Sequence, residues 1–232
     1  MIKSCVILAA GLGLRMRPLT DHIPKPMVEI AGRPIISYIL DMVIGAGCDN
    51  IVMNIHYKPE PLREYIAQNY SDKVVFSDET DRLLNSGGGV FKALDYIQNE
   101  SFFVINADCI WSSSVNALKQ LVDFYDPNTM DILKLLSPAK TAIGFDEKDI
   151  YGLSDDNKIL RDGKTTQDLS YTGIQILKKS FFQGYSYEPF SVREIWDKAF
   201  EAETIYGCVF QGQWLHIGTP YAVNDAAHFL KM

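Results

Sequence analysis

The amino-acid sequence predicts an α/β fold, in which a mostly parallel, Rossmann-like mixed sheet is flanked by helices and carries a small β-rich lobe. In the first half, apolar runs of strand length alternate with helical patterns, the order that builds βαβ units. In the second half, short extended segments are separated by polar turns, a pattern typical of antiparallel strands. The chain has 232 residues, a length that a single α/β domain can reach.

The predicted elements follow one another without a linker or a repeat. In the first half we predict strands at residues 5–9, 51–55, 73–76 and 102–106, and helices at residues 34–44, 59–68, 89–96 and 114–125. In the second half we predict extended segments at residues 132–136, 150–153, 159–161, 171–177 and 205–210, and helices at residues 192–201 and 220–230. We therefore predict one domain over residues 1–232, with residues 1–130 as its first part and residues 131–232 as a second lobe with closing elements.

Composition and charge restrict the partners of the chain. The formal net charge of −7 disfavours a nucleic acid or an anionic membrane surface as partner, and no apolar run reaches the roughly 18 residues that a membrane-spanning helix needs. The four scattered cysteines form no C-x-x-C pair and no metal-ligand spacing, which indicates free thiols and a reducing compartment. We predict a cytoplasmic protein, a monomer or small homo-oligomer, that binds neither nucleic acid nor membranes.

A glycine-rich loop with three basic residues follows the first predicted strand. Gly11 and Gly13 stand just beyond a parallel strand, where α/β sheets bind ligands, and their N–H groups could close on a phosphate chain. The third glycine of a dinucleotide fingerprint and the Gly-Lys-Ser/Thr of a Walker A loop are both missing. The phosphates would then be neutralised by Arg15, Arg17 and the proline-flanked Lys25; the alternative is that these cations are solvated surface groups.

Three consecutive glycines, Gly87 to Gly89, stand before the helix predicted at residues 89–96. One interpretation is a flexible turn that leads into the helix. The other is a segment without Cβ atoms that a flat base or a ribose can approach closely. The side chain of Asn85 carries one amide donor group and one acceptor, which suits the imide edge of uracil.

The apolar strand predicted at residues 102–106 leads directly to Asp108. A carboxylate at the carboxyl end of a buried strand is well placed to hold a divalent cation that bridges phosphate oxygens. The alternative is that Asp108 caps the loop.

Taken together, these motifs resemble the signature of the sugar-1-phosphate nucleotidyltransferases. The likeness rests on Leu8-Ala9-Ala10-Gly11-x-Gly13-x-Arg15-Met16-Arg17-Pro18-Leu19-Thr20 and on Pro24-Lys25-Pro26-Met27, and it extends to Gly218-Thr219-Pro220 near the C-terminus. Within the family, the sequence is most similar to the uridylyltransferases that act on N-acetylmuramate 1-phosphate in cell-wall recycling, and the related uridylyltransferases carry a similar triple glycine. Mannose-1-phosphate guanylyltransferases more often carry a Gly-Thr-Ala-Gly loop. The resemblance implies an enzyme that joins a nucleoside triphosphate, UTP in preference, to a sugar 1-phosphate, N-acetylmuramate 1-phosphate in preference, and releases pyrophosphate.

The resemblance also implies a role for each matching residue. The implied catalytic residues are Arg15, Lys25 and Asp108. The implied ligands of a Mg²⁺ ion, for which Mn²⁺ could substitute, are Asp108 and His216. Residues 1–130 become the nucleotide-binding part, and the implied nucleotide-binding residues are Ala10, Gly11, Gly13, Leu14, Arg15, Lys25, Asn85, Gly87 and Gly88. Residues 131–232 become the sugar-phosphate-binding lobe, and the implied sugar-phosphate-binding residues are Asn106, Asp149, Tyr171 and Gly173.

The sequence departs from the family pattern at two positions. Ala107 replaces the glycine of the usual Asn-Gly-Asp, which changes only the turn. His216, in the segment from Trp214 to Pro220, replaces the second metal-binding aspartate of the family. An imidazole binds divalent metals but is softer than Mg²⁺ prefers, and the alternative for this histidine is a structural role.

Three other functions are considered. The same chemistry could use a different pair of substrates, such as GTP with mannose 1-phosphate or CTP with a phospho-alcohol. A catalytically silent subunit that binds a sugar nucleotide is favoured by His216. A dinucleotide-dependent oxidoreductase is disfavoured by the missing third glycine. The chain ends soon after its last predicted helix, so we expect no appended hexapeptide-repeat acyltransferase.

Overall fold

The structure is a computed structural model that describes residues 2–70, 73–144, 150–161 and 167–231. The helices are α1 (Ile35–Gly45), α2 (Pro59–Asn69), α3 (Asn85–Ala93), α4 (Ala117–Phe124), α5 (Val192–Glu201) and α6 (Pro220–Phe229). The strands are β1 (Ser4–Leu8), β2 (Glu29–Ile30), β3 (Arg33–Pro34), β4 (Asn50–Ile55), β5 (Val74–Asp78), β6 (Ser101–Asn106), β7 (Cys109–Ser112), β8 (Ile132–Pro138), β9 (Ile150–Leu153), β10 (Ile159–Arg161), β11 (Leu169–Lys178), β12 (Ile205–Val209) and β13 (Gln213–His216).

A nine-stranded mixed sheet forms the centre of the fold. Its main order is β10-β9-β11-β6-β1-β4-β5, and β8 joins it by pairing with β11 and β12. The strands β6, β1, β4 and β5 run parallel to one another, whereas β11 runs antiparallel to β6, β8 and β9. This arrangement confirms the predicted α/β fold with its mixed, mostly parallel sheet and its β-rich addition.

The central strand β1 is apolar on both faces because helices cover both sides of the sheet. Cys5 and Ile7 belong to the core that includes the buried side chains of α1 and α4, and Val6 belongs to the core that includes those of α3 and α5. Continuous apolar runs are typical of parallel strands that are buried on both faces. Because β1 and β6 pair in parallel, their carboxyl ends emerge side by side in the middle of the sheet.

Several element boundaries differ from the prediction. The helix predicted at residues 89–96 begins at Asn85, so the glycine triplet lies inside α3, and Leu94–Tyr96 forms a separate 3-10 turn. The helix predicted at residues 114–125 begins later, after Asn116, whose side chain accepts hydrogen bonds from the N–H groups of the first turn. Such side-chain caps mark where a helix starts, and they are hard to locate from apolar periodicity alone.

Two short strands that the sequence did not predict form a second sheet beside the central one. Strands β7 and β13 pair in an antiparallel register, with His216 opposite Cys109 and Trp214 opposite Trp111. The pairing brings the C-terminal motif of the sequence to the carboxyl end of β6. In the described ranges, no helix is long and apolar enough to span a bilayer.

Candidate active site

A cleft opens where β1 and β6 end. It has a volume of about 410 Å³ and is lined by Leu8, Ala9, Gly11, Leu12, Gly13, Leu14, Arg15, Met16, Lys25, Pro26, Asn106, Ala107, Asp108 and Gly218. Ligands of open α/β sheets bind beyond the carboxyl ends of adjacent parallel strands. All three residues predicted to be catalytic (Arg15, Lys25 and Asp108) lie in this cleft, together with the predicted Gly11, Gly13, Leu14 and Asn106.

The segment 9–20, which we call the cleft loop, is held in an open turn by Gly13. Gly13 has a φ of 65°, in the left-handed region that glycine adopts without strain. The hydroxyl of Thr20 donates a 2.8 Å hydrogen bond to the carbonyl oxygen of Gly13, and a Cβ on Gly13 would lie only 3.1 Å from the Thr20 side chain. Leu14–Met16 then form a 3-10 turn, so that Arg15 lies exposed along one wall of the cleft.

Lys25 and Asp108 form an ion pair across the cleft. The Nζ atom of Lys25 lies 2.8 Å from Oδ2 of Asp108, and the two side chains are 14% and 24% exposed. Lys25 begins a 3-10 turn between Pro24 and Pro26, which limits how far the lysine can move. Burial by itself favours the protonated carboxyl, but Lys25 and His216 outweigh it and hold the pKa of Asp108 well below its usual range. Asp108 is therefore a carboxylate at neutral pH.

His216 approaches the same carboxylate oxygen. Its Nε2 atom lies 3.7 Å from Oδ2 of Asp108, and its side chain is 17% exposed. The pairing of β13 with β7 places the histidine here, and the N–H of Ile217 donates to the carbonyl oxygen of Asp108 at 2.7 Å. A Cβ on Gly218 would lie 2.6 Å from the His216 ring, so the Gly-Thr-Pro motif provides the space that this ring occupies.

The pair Asp108 and His216 fits a divalent cation as a partial ligand set. An ion about 2.1 Å from each ligand can lie between two atoms that are 3.7 Å apart. Within the described part of the chain, no cluster of three or more His, Cys, Asp or Glu is arranged to hold a metal. A cation held by these two donors would take its remaining ligands from phosphate oxygens and water. Lys25 already contacts Oδ2, so the ammonium and a cation would compete for that oxygen.

The residues predicted to bind the sugar phosphate are placed unequally. Asn106 lines the cleft, and Gly173, with a φ of 90°, lies so close to it that a Cβ on Gly173 would be 3.1 Å from the Asn106 Cβ. Tyr171 does not line the cleft. Its ring packs edge-on against Trp196 at 5.4 Å on the α5 side of the sheet, so the structure does not bring this predicted sugar-phosphate residue to the cleft. Asp149 lies outside the described residues.

The triple glycine, which we predicted to approach a base, also lies away from the cleft. Asn85, Gly87 and Gly88 do not line the cleft. A Cβ on Gly87 would collide with the ring of Phe190, and one on Gly88 with the carbonyl oxygen of Glu188. The missing Cβ atoms therefore make room for the chain at residues 188–190, and this packing outweighs the low helix propensity of glycine.

Ala10, which we predicted to bind the nucleotide, already donates its N–H to a side chain. The N–H groups of Ala9 and Ala10 both donate to Oδ1 of Asn54, at 2.6 and 3.2 Å, and Ala10 does not line the cleft. Asn54 and its buried partner Glu79 belong to none of the motifs in the sequence. The only signal was a polar residue near the end of an otherwise apolar strand, which buried polar groups with specific partners often produce.

Comparison with known proteins identifies the class of the site. The family model described as "Nucleotidyl transferase" matches residues 4–145 of this chain. The chain belongs to this family. It is 32% identical to the N-acetylmuramate alpha-1-phosphate uridylyltransferase of Caulobacter vibrioides, over 95% of this chain and 93% of that protein. It is 28% identical to the mannose-1-phosphate guanylyltransferase catalytic subunit beta of Drosophila melanogaster, over 93% of this chain but only 59% of that protein.

Solved structures agree with this assignment at the level of the fold. The inositol-1-phosphate CTP transferase from T. maritima superimposes with a TM-score of 0.80, at 19% sequence identity, over 99% of this chain and 94% of that chain. The protein is thus a sugar-1-phosphate nucleotidyltransferase, and its family uses a nucleoside triphosphate and a sugar 1-phosphate. The predictions of the family, the fold and the enzyme class are confirmed, and the family assignment excludes the oxidoreductase.

Proposed function

We propose that this enzyme transfers a uridylyl group from UTP to N-acetylmuramate 1-phosphate, with Mg²⁺ as its cation, in cell-wall recycling. The observation that carries the proposal is a cleft in which a glycine-arginine loop faces the Lys25–Asp108 pair. The choice of substrates is supported by the 32% identity to a uridylyltransferase of that specificity, which spans nearly the whole of both chains.

We assign a part to each charged group of the cleft. Arg15 and the backbone N–H groups of Gly11 and Gly13 hold the β- and γ-phosphates, because a guanidinium fork and N–H groups match phosphate oxygens. Lys25 would leave Asp108 and neutralise the phosphates that react, and Asp108 with His216 would hold the cation. When bound, Mg²⁺ supplies charge neutralisation for the α-phosphate and pyrophosphate oxygens.

The reaction needs alignment more than acid–base chemistry. A phosphate monoester has its second pKa near about 6, so its attacking oxygen is already largely ionised at pH 7. That oxygen forms a bond to the α-phosphorus while the bond from the α-phosphorus to the bridging oxygen breaks, and the electron pair leaves on pyrophosphate. No proton has to be transferred and no covalent enzyme intermediate forms. The residues of the cleft contribute by positioning both phosphates and by neutralising their charge.

The second candidate function is the same transfer with GTP and mannose 1-phosphate. It is favoured by the 28% identity to a guanylyltransferase subunit and by the finding that the triple glycine, our basis for preferring uracil, lies outside the cleft. A catalytically silent subunit that binds a sugar nucleotide is the third, because His216 replaces a hard oxygen ligand and Lys25 occupies Asp108.

A substrate panel distinguishes these candidates. The purified protein with Mg²⁺ is offered UTP, GTP, CTP and dTTP, each with N-acetylmuramate, N-acetylglucosamine or mannose 1-phosphate, and pyrophosphate release is measured. We expect the highest kcat/KM with UTP and N-acetylmuramate 1-phosphate. Equal or faster release with GTP refutes the preference for uracil, and binding of a nucleotide without any release with all twelve pairs points to the silent subunit.

We further propose that the enzyme works in the cytoplasm as a monomer or small homo-oligomer. All four cysteines are buried free thiols, which supports a reducing compartment.

A further inference from the structure

A buried asparagine anchors the start of the cleft loop. Asn54 lies near the carboxyl end of β4 and is only 3% exposed. Its Oδ1 atom accepts hydrogen bonds from the N–H groups of Ala9 and Ala10, the first two residues beyond β1, at 2.6 and 3.2 Å. Because these two N–H groups are directed to Asn54, the loop turns away from the line of the strand at this point. The N–H groups of Ala9 and Ala10 are therefore engaged by Asn54 rather than offered to a ligand.

A buried carboxylate fixes the orientation of this amide. Glu79 is fully buried, and its Oε1 atom accepts a 2.7 Å hydrogen bond from Nδ2 of Asn54. A carboxylate can only accept, so Asn54 must turn its NH₂ group toward Glu79 and its oxygen toward the cleft loop. Without Glu79, the two orientations of the amide would be nearly equivalent in shape, and one of them would place N–H groups against N–H groups.

The same carboxylate also holds the start of α3. Its Oε2 atom accepts a 2.9 Å hydrogen bond from the N–H of Leu84, the residue before the helix. Gly89 in α3 packs directly on the pair, since a Cβ there would lie 2.6 Å from Nδ2 of Asn54 and 2.7 Å from Oε1 of Glu79. One continuous chain of buried hydrogen bonds therefore connects the cleft loop to the first residues of α3, and it leaves no room for a water molecule on the side of Gly89.

We propose that Asn54 and Glu79 are positioning residues that set the cleft loop relative to α3 and thereby determine the affinity for the nucleoside triphosphate. The inference rests on the proposed function, because it takes the cleft loop as the part that holds the phosphates. A displacement of this loop by a fraction of an ångström would misalign several phosphate contacts at once. It would leave the proposed sugar-phosphate side of the cleft, where Asn106 lies, in place.

An exchange of the two functional groups tests the proposal. In Asn54→Asp, a second carboxylate faces Glu79 and the hydrogen bond between the two side chains is lost. In Glu79→Gln, one amide N–H is forced against either the NH₂ of Asn54 or the N–H of Leu84. In the double variant all groups are satisfied again: the carboxylate at position 54 accepts from both loop N–H groups and from the amide at position 79, whose oxygen accepts from Leu84.

Two measurements compare the wild type, the two single variants and the double variant. Isothermal titration with UTP, GTP, CTP and dTTP gives the affinity for each triphosphate, and hydrogen exchange of residues 9–13 without ligand reports the loop itself. We expect each single variant to bind the preferred triphosphate roughly tenfold to a hundredfold more weakly and to exchange these amides faster. The double variant should bind within about threefold of wild type, because the two changes compensate each other. The KM for the sugar phosphate should change least.

Asn116→Asp is the matched control. The amide of Asn116 also accepts from two backbone N–H groups, those of Leu118 and Lys119, and donates to the carbonyl oxygen of Met42, but Asn116 does not line the cleft. The same atom exchange there should lower the melting temperature without changing triphosphate affinity. A comparable loss of affinity in this control would show that the effect is one of general stability.

The remaining outcomes decide for or against the positioning role of Asn54 and Glu79. Single variants that keep wild-type affinity and exchange rates overturn the proposal, and so does a double variant that is as weak as the single variants combined. If the single variants fail to fold, a double variant that folds and binds supports it, whereas one that fails to fold or binds weakly overturns it. A wild-type protein that binds none of the four triphosphates refutes the proposed function, and hydrogen exchange then still decides whether the pair holds the loop.

Discussion

Lys25 and His216 converge on one oxygen of Asp108: the ammonium lies 2.8 Å and the imidazole Nε2 3.7 Å from Oδ2. The three groups come from three distant parts of the sequence, namely the turn after the cleft loop, the end of β6 and strand β13. A mostly buried carboxylate that attracts two potential cations is a strong electrostatic centre. Under the proposed function, a phosphate that enters the cleft would draw Lys25 toward itself and would leave Oδ2 for a divalent ion.

Arg15→Ala should lower turnover with little effect on stability. Arg15 is exposed and lines the cleft, and removal of one preorganised charge from a transition state lowers the rate by about 10²–10³-fold. Arg17→Ala is the matched control, since Arg17 belongs to the same loop but does not line the cleft and contacts Asp21 at 3.4 Å on the surface. We measure kcat and the melting temperature of both variants. Equal losses of activity in the two would show that Arg15 has no special role.

Lys25→Met should affect both activity and stability. The methionine keeps most of the length of the side chain but leaves Asp108 without its ammonium partner, so we expect kcat to fall by about 10²–10³-fold and the free energy of unfolding to fall by about 1–3 kcal/mol. Denaturant unfolding and pyrophosphate release measure the two effects. The double variant Lys25→Met with Asp108→Asn should recover part of the stability but none of the activity. Full activity in Lys25→Met would contradict the assigned role.

The sequence was sufficient for those parts of the site that depend on local chemistry. The glycines of the cleft loop, Lys25 between its prolines and Asp108 at the end of a buried strand were all predicted, because parallel strands bring their carboxyl ends to one edge of the sheet. Which of the matching residues reach the cleft depends on packing between distant segments. Phe190 fills the space beside Gly87, so a glycine run that reads as an open binding turn is part of a packed helix.

The hydrogen-bond partners of buried polar groups could not be predicted from the sequence either. Asn54 and Glu79 are separated by 25 positions, and only the parallel pairing of β4 with β5 brings the ends of these two strands together. Likewise, the pairing of β7 with β13 determines that His216 meets Asp108, and neither four-residue strand has enough periodicity to be recognised. The motifs thus predicted several of the residues that line the cleft. The pairing of distant strands decided how these residues are arranged.

The stability of the protein should depend on pH through Asp108. The pKa of Asp108 in the folded protein lies well below its usual range because of Lys25 and His216, although burial opposes this. Its contribution is therefore fully present above its unfolded pKa of about 3.9 and is lost as the pH falls toward the folded pKa. In the presence of EDTA, the difference in free energy of unfolding between wild type and Asp108→Asn should shrink as the pH falls below about pH 4.

The difference in free energy of unfolding between the two proteins separates the contribution of Asp108 from those of other acidic residues. Burial raises the pKa of Glu79, which gives a slope of opposite sign, but Glu79 is present in both proteins and cancels from the comparison. A difference that grows as the pH falls below about 4 would mean that the folded pKa of Asp108 is raised instead.

His216→Asp should change the metal preference of the enzyme. If Asp108 and His216 share the cation, the variant exchanges a neutral nitrogen for a hard, charged oxygen. Mg²⁺ prefers oxygen ligands, whereas imidazole suits the transition metals. We therefore expect the variant to bind Mg²⁺ about tenfold more tightly relative to Mn²⁺ than wild type does. Competition of Mg²⁺ against bound Mn²⁺, followed by electron paramagnetic resonance in the presence of UTP, measures this ratio without relying on turnover.

His228→Asp controls for the added negative charge. His228 lies in the last turn of α6 and does not line the cleft, so the same substitution there adds one charge without adding a ligand. A shift of the Mg²⁺ to Mn²⁺ ratio in His216→Asp alone assigns the imidazole to the metal. If the ratio is unchanged in both variants, His216 is not a ligand, and its 3.7 Å approach to Asp108 then serves only to stabilise the carboxylate. Asp108 would remain the one assigned protein ligand of the cation, and the activity of the enzyme would depend more strongly on phosphate oxygens to complete the coordination.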